Sequence, residues 1–188
     1  MTHPAETSGL DPDAMAKELK LPFDPIDVAG EHWTHHFGPA TSMRVATSIM
    51  RAQQLLLTRY DELLRPYSLT FARYEALVLL VFSRTGELPM RVIGERLMVH
   101  PTSATNIIDR LCRQGYVARR PNPADGRGVL ASVTAEGREV VRHATKELMA
   151  IDFGLGAVDE RGRAELFDAL RTLRVAAGDF VPHDEARS

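Results

Sequence analysis

Apolar side chains recur at helical spacing over a long stretch of the chain. Between Thr41 and Leu64 they occupy positions i, i+4, i+7, i+11 and i+18, which lie on one face of an α-helix. That face consists of Val45, Ile49, Ala52, Leu56 and Leu63. Further apolar residues broaden it: Met43, Met50, Leu55, Leu57 and Leu64. The pattern therefore predicts a helix over 41–64 that needs partners on more than one side.

Residues that start and stop helices divide the next part of the chain. Pro66 ends the long helix, Thr70 can cap the following one, and Gly86 stops it. Pro101 suits the first turn of a later helix, and Gly115 suits the position after its end. The predicted helices are Phe71–Arg84, Arg91–Leu97 and a third from Pro101 to about Gln114.

Two short β candidates follow, Tyr116–Arg120 and Val129–Val133. The loop between them contains Asp125-Gly126, a turn signal, and two prolines that we expect to keep it out of the strand ladder. Thr134 can then cap a helix. The last two helices are predicted from Ala135 to about Asp152 and over about Asp159–Phe180.

This order predicts a mainly α fold with a small β-hairpin wing, because a helix, a tight turn and a second helix before a two-stranded hairpin form a winged helix-turn-helix. One such lobe cannot cover the apolar surface of the flanking helices, so we expect two chains to bury it around a two-fold axis. The expected domains are an extension at 1–40, a dimerisation helix at 41–66, a winged helix-turn-helix lobe at 67–134 and connecting and dimerisation helices at 135–182.

The first forty residues are acidic and rich in proline. Five prolines (Pro4, Pro12, Pro22, Pro25 and Pro39) exclude a long helix there. We expect disorder over residues 1–10, with short helices possible at Asp13–Leu19 and around Glu31–Phe37.

The charge is unevenly distributed along the 188 residues. The net charge is −2, which is unlike a nucleic-acid binder. However, residues 90–142 carry nine basic and five acidic side chains, whereas residues 1–31 carry two and seven. A basic centre between acidic ends is an electrostatic footprint that the total hides.

The composition favours a cytoplasmic protein. The longest apolar run, Ala76–Phe82, is too short to cross a bilayer, and the N-terminal residues have no secretory pattern. Cys112 is the single cysteine, so neither an internal disulfide nor a cysteine zinc site is expected. We predict no cofactor and no metal site.

The helix after Pro101 has two chemically different faces. One carries Ala104, Ile107, Ile108 and Leu111, which we expect to pack on Val92, Ile93 and Leu97. The opposite face carries Ser103, Asn106, Arg110 and Arg113, flanked by Thr102 and Thr105. A major groove admits one α-helix, and these side chains can pair with base edges or phosphates. An ordinary solvated helix face remains the alternative for this stripe considered alone.

The hairpin adds three arginines: Arg119 and Arg120 on the first strand and Arg127 in the loop. A tip arginine can enter a narrow minor groove, where the negative potential is strongest. Asp125 can orient the Arg127 guanidinium by an ion pair. The alternative is a surface turn with an incidental ion pair.

At these residues the sequence resembles the MarR family of bacterial transcription regulators, over roughly residues 41–180. The segment from Asp125 to Gly137 follows that family's wing signature, and Thr105–Leu111 with Gly115-Tyr116-Val117 matches its recognition helix. The resemblance implies a homodimer with recognition helices in successive major grooves of a pseudo-palindromic operator. It also implies that Arg127 is the minor-groove residue, Asp125 its partner, and Thr102, Ser103, Thr105 and Asn106 the base-proximal residues.

The sequence departs from the family pattern at two positions. His100 stands where a small polar cap is usual, and Asn106 stands where arginine is common, so the preferred bases can differ. Some members of the family that respond to urate have an extra N-terminal helix that contains a tryptophan, and Trp33 is similar to that residue. Their recognition helix also carries an arginine where this chain has Ile107, so a response to urate is not supported.

Three weaker candidates lie outside this surface. His32, His35 and His36 have a spacing that can hold a metal, although a solvated cluster is the simpler interpretation. A small-molecule cavity could be lined by Trp33, His36, Phe37 and Met43. Cys112 could be a redox switch if Arg110 and Arg113 lowered its pKa, or simply a small semi-buried residue.

The sequence thus favours a dimeric repressor that binds double-stranded DNA and responds to an aromatic or anionic small-molecule effector. The alternative is a winged-helix module for protein–protein interaction without an operator. An enzyme is not supported, because no nucleophile–base constellation, phosphate-binding glycine loop or complete metal shell is evident.

Overall fold

The computed structural model describes residues 20–123 and 125–182, with only the backbone at positions 126 and 127. The predictions for residues 1–10 and Asp13–Leu19 lie outside the described residues. The chain divides into two compact units, one through Leu148 and one from Met149. No helix in the described ranges is both long and apolar enough to cross a membrane.

The first two helices are α1, Pro25–Phe37, and α2, Thr41–Leu64. The prediction for α2 is confirmed at both ends. α1 begins earlier than the expected Glu31, because Pro25 occupies its first turn and the Asp24 carboxylate accepts a hydrogen bond from the Ile26 amide at 2.8 Å. A proline at that position starts a helix instead of breaking it.

Helix α3 spans Phe71–Phe82 and ends two residues before the predicted Arg84. Thr70 is at the cap position, but its side chain accepts no capping hydrogen bond from the backbone. Asp61 of α2 performs that role, since its Oδ1 accepts from the Phe71 amide at 2.7 Å. The prediction that Thr70 caps the helix was therefore right about position and wrong about the acceptor.

Helices α4, Met90–Arg96, and α5, Pro101–Arg113, form the helix-turn-helix. Their connection includes Met98 with a positive φ of 51°, which allows the tight turn. The Cβ of Ala104 on α5 lies 3.6 Å from the place where a Cβ on Gly94 of α4 would be, so the two helices are in close contact at this point. The small residues at these two positions let the helices approach each other.

The sheet has three antiparallel strands instead of the expected two. They are β1, Glu87–Pro89, β2, Val117–Asn122, and β3, Asp125–Val133, in the order β1-β3-β2. β1 was missed by the sequence analysis. The expectation that Pro121 stays out of the ladder was wrong, since Pro121 lies opposite Val129. β2 is an edge strand, where a proline without an amide hydrogen is tolerated.

Helix α6 spans Ala135–Ala150, and α7 spans Glu160–Ala176. Thr134 caps α6 as predicted: its Oγ1 accepts from the Gly137 amide at 3.0 Å. In the second unit, Asp159 caps α7 by accepting from the Gly162 amide at 2.8 Å. Both helices end earlier than expected, α6 before a short 3₁₀ turn at Asp152–Gly154 and α7 before a left-handed Gly178.

The core of the first unit is built from the end of α2, from α3, α4, α5 and α6, and from the sheet. Its fully buried large side chains are Leu64, Leu77, Leu80, Ile93, Ile108, Leu111 and Leu148. Large apolar residues of α2 remain exposed within the single chain: Val45, Met50, Leu55 and Leu57. Burial in the core fixes α5 from one side only, so its other face is available to a partner.

Candidate nucleic-acid interface

Helix α5 presents two faces, as its sequence pattern predicts. On the inner face Ala104, Ile108 and Leu111 are buried, while Ile107 is half-buried at the margin. Ile93 of α4, one of the predicted packing partners, is also fully buried. The outer face is exposed along its whole length and comprises Thr102, Ser103, Thr105, Asn106, Arg110 and Arg113.

His100 caps the start of α5. Its Nδ1 accepts a hydrogen bond from the Thr102 amide at 3.3 Å, with Pro101 at the first helical position. The imidazole therefore takes the capping role that a small polar side chain plays elsewhere. This cap holds the first turn of α5, where the small polar side chains Thr102 and Ser103 allow a close approach to a ligand surface.

Arg73 on α3 is a cation that the sequence analysis missed. It lines a shallow cleft together with Thr70, Asn106, Ile107 and Arg110. Burial, followed by repulsion from the Arg110 charge, lowers the pKa of Arg73. The two guanidinium groups therefore concentrate positive charge beside Asn106. No sequence spacing signals this neighbourhood, because α3 and α5 meet only through tertiary packing.

The two arginines of β2 are engaged within the protein. Arg119 forms an ion pair with Asp109 of α5, with 2.5 Å between Nη1 and Oδ1. Arg120 forms an ion pair with Glu87 of β1, and its Nε lies 2.9 Å from Oε2 of that carboxylate. Both connect the hairpin to neighbouring elements, and their predicted contact with DNA stays a prediction.

The tip of the hairpin places Asp125 against the backbone of the returning strand. Its Oδ2 lies 2.9 Å from the place where a Cβ on Gly128 would be, so a larger residue at that position would require the carboxylate to move. The side chain of Arg127 is outside the described residues, so the predicted pair between Asp125 and Arg127 stays a prediction.

The α1 candidates form an aromatic group. The Trp33 and Phe37 rings are 5.0 Å apart between centroids, and His36 and Phe37 are 6.1 Å apart. Met43 instead lines a cleft between the first turns of α1 and the first half of α2, which includes Pro25 and Ile26. The four residues predicted to line one cavity are thus divided between two places.

The other two candidates gain no support from the geometry. Among the described residues, no group of three or more His, Cys, Asp or Glu side chains could hold a metal ion. The three histidines of α1 therefore do not form such a group. Burial raises the pKa of Cys112, and the opposing effect of the Arg119 charge is smaller. The alternative of a small semi-buried residue agrees with the half-buried Cys112 side chain. The charge that opposes the rise in its pKa is that of Arg119, and not that of Arg110 or Arg113.

Known sequences are similar to this chain in the region that contains the helix-turn-helix and most of the hairpin. Residues 67–128 match the model of the MarR family. The uncharacterized HTH-type transcriptional regulator ML2140 of Mycobacterium leprae is 37% identical over 68 residues, which are 36% of this chain and 48% of that protein. The chain thus spans about half the length of this relative.

Comparison with solved structures extends the similarity to most of the chain. Sco5413, a MarR family transcriptional regulator from Streptomyces coelicolor, is 64% identical, with a TM-score of 0.70 over 75% of this chain and 98% of that one. Sco3205, a MarR family regulator from the same organism whose crystal structure is a complex with DNA, is 25% identical. Its TM-score is 0.67, over 77% of this chain and 91% of that one.

Proposed function

Because this chain belongs to the MarR family of transcriptional regulators, we propose that it binds double-stranded DNA as a homodimer and represses transcription until a small molecule releases it. The exposed outer face of α5 is the observation that carries this proposal. The Sco3205 complex with DNA supports the same partner for this chain.

The outer face of α5 has the chemistry of base and phosphate recognition. Asn106 can pair with adenine through its amide, and the hydroxyls of Thr102 and Ser103 can contact base edges or thymine methyls. Arg110 and Arg113, one and two turns further along the helix, can contact phosphates. Arg73 adds a positive charge beside Asn106 from the neighbouring helix.

The apolar surface of α2 supports a dimer. Met50 and Leu55 are each about three-fifths exposed in the single chain, at 61% and 60%. Burying the exposed three-fifths of such a side chain contributes about 1–2 kcal/mol, which favours association of two copies. A two-fold axis would place two α5 helices about one turn of DNA apart, so the operator would be a pseudo-palindrome.

Ligand control follows from a population shift between two dimer arrangements. An effector that prefers a dimer with wrongly spaced α5 helices lowers the DNA affinity by the ratio of its affinities for the two arrangements. The family resemblance suggests an aromatic or anionic effector, bound between the dimer helices and the DNA-binding lobe. The aromatic group at Trp33, His36 and Phe37 and the cleft at Met43 are the candidate contacts.

Selection from a random-sequence duplex library tests the proposal. Purified protein is incubated with the library, and the bound duplexes are amplified and sequenced over several rounds. We expect enrichment of an inverted repeat with half-sites about one helical turn apart. Enrichment of a single half-site would contradict the dimer, and an unenriched pool would contradict sequence-specific binding.

A further inference from the structure

Arg119 of β2 spans one turn of α5. In addition to its ion pair with Asp109, it donates a hydrogen bond from Nη2 to the backbone carbonyl of Thr105 at 3.3 Å. The two acceptors are four residues apart, so they lie on the same side of the helix. One guanidinium thereby fixes the turn of α5 that contains Asn106.

Arg120, the next residue on β2, contacts the sheet and not α5. Successive side chains on a strand point to opposite faces, so Arg119 and Arg120 cannot share a target. Arg120 donates to Glu87 of β1, and the same carboxylate accepts from the Ser132 hydroxyl of β3 at 2.9 Å. The hairpin is thus held to α5 by one arginine and to the rest of the sheet by the next.

These contacts leave Arg119 poorly suited to neutralise a phosphate. Its side chain is 32% exposed, and contacting DNA directly would require it to leave Asp109. The carboxylate would then be an unpaired negative charge on the helix that approaches the DNA backbone. Like charges in such a position repel, so the exchange gains little attraction.

We propose that Arg119 is a positioning residue, which sets the angle between α5 and the hairpin so that both reach their grooves at once. This inference rests on the proposed DNA binding. Binding to a specific site needs both elements in register with the duplex, whereas non-specific binding depends mainly on the number of phosphates neutralised. Loss of the Arg119–Asp109 pair should therefore reduce specificity more than non-specific affinity.

A positioning role for Arg119 and a direct contact between Arg119 and phosphate predict opposite effects of substituting Asp109. If Arg119 positions α5, then Asp109→Asn weakens binding to the selected duplex, as Arg119→Ala does. If Arg119 contacts phosphate directly, then Asp109→Asn strengthens binding, because it removes a negative charge and releases the guanidinium. Arg119→Lys separates the roles further, since lysine preserves a point charge but not the planar two-pronged geometry.

The experiment measures affinity for the selected duplex and for a shuffled duplex of the same composition, over a range of salt concentrations. The variants are Arg119→Ala, Arg119→Lys, Asp109→Asn and the double variant Arg119→Ala with Asp109→Asn. Arg113→Ala is the matched control, since Arg113 lies on the exposed face of α5, where its Nε donates to the backbone carbonyl of Asp109 at 3.4 Å. Circular dichroism melting checks that every variant is folded.

We expect Arg119→Ala and Asp109→Asn each to weaken binding to the selected duplex by about tenfold, with an unchanged salt slope and little change on the shuffled duplex. The double variant should be no weaker than Arg119→Ala alone, and Arg119→Lys should not recover the loss. Arg113→Ala should weaken binding to both duplexes and reduce the salt slope by about one.

Tighter binding by Asp109→Asn, or a salt slope reduced by about one in Arg119→Ala, would overturn the positioning role while leaving the proposed function intact. If the wild-type protein binds neither duplex, the proposed function fails, and the positioning role fails with it.

Discussion

The backbone carbonyl of Tyr116 faces Gly137 so closely that a Cβ at position 137 would lie 2.2 Å from its oxygen and 2.9 Å from Cγ2 of Val133. Two further contacts close the same junction. The Thr134 hydroxyl donates to the Gly115 carbonyl at 2.8 Å, and the Thr134 amide donates to the Tyr116 carbonyl at 3.0 Å. The start of α6 is therefore clamped on the exit from α5.

The first prediction concerns this junction. Gly137→Ala should destabilise the protein by about 1–3 kcal/mol, because the obstructing atom belongs to the backbone and cannot rotate away. Urea unfolding followed by circular dichroism measures the change. Gly156→Ala is the control, since nothing lies within 4 Å of a Cβ at that position, and its effect should be within about 0.5 kcal/mol. Equal stability of the two variants would contradict the clamp.

The second prediction concerns the cap of α3. Asp61→Ala should cost about 1 kcal/mol, because the Phe71 amide loses its acceptor and the helix N-terminus loses a nearby negative charge. Thr70→Ala should cost less, since the Thr70 hydroxyl accepts from the Arg73 side chain at 3.2 Å and not from a backbone amide at the start of the helix. Urea unfolding of both variants measures the difference. A larger loss from Thr70→Ala would show that the residue at the cap position stabilises the helix after all.

The third prediction concerns pH and the sheet. Hydrogen bonds from Arg120 and then Ser132 lower the pKa of Glu87. The stabilisation from this carboxylate is therefore fully present above about pH 4.3, the ordinary glutamate value, and is lost as the pH falls through the lowered pKa.

Glu87→Gln should accordingly lower the melting temperature at pH 7, and the difference from wild type should shrink as the pH falls below about 4. Thermal melts over that pH range measure it. Glu95→Gln is a control on an exposed i,i+4 pair with Arg91. A melting difference for Glu87→Gln that persists unchanged at low pH would contradict a role for the ionised carboxylate.

The fourth prediction concerns base recognition. Asn106→Ala should relax the preference at one base of each half-site, because the amide that reads the base is removed, and each lost pair costs about 1–3 kcal/mol of discrimination. Arg127→Ala, in contrast, should weaken binding to all sites through the lost charge. Repeating the library selection with each variant distinguishes them. If Asn106→Ala retains the complete wild-type preference, the reading surface has been assigned wrongly.

The elements that sequence predicted best are those with local signals. α2 carries its apolar face over six turns and is stopped near Pro66, and α5 lies between Pro101 and Gly115, so both could be located from neighbours along the chain. The outer face of α5 followed directly from its period of 3.6 residues.

The features that sequence missed depend on residues distant along the chain. β1 has only three residues, too few for alternation to be recognised, and it exists because it pairs with Ala131 and its neighbours on β3. The Asp61 cap acts across ten positions, and Arg73 reaches Arg110 only after α3 and α5 pack. The Arg119–Asp109 pair likewise required the angle between β2 and α5, which no pattern in the chain specifies.

The central claim, that α5 and the hairpin form a DNA-binding surface, is tested most directly by the affinity of the wild-type protein for a duplex as salt is varied. The claim predicts that the logarithm of the binding constant falls linearly and steeply with the logarithm of salt concentration, because each phosphate contact releases counterions. No detectable binding to duplex DNA at about 50 mM salt, or an affinity independent of salt, would contradict it.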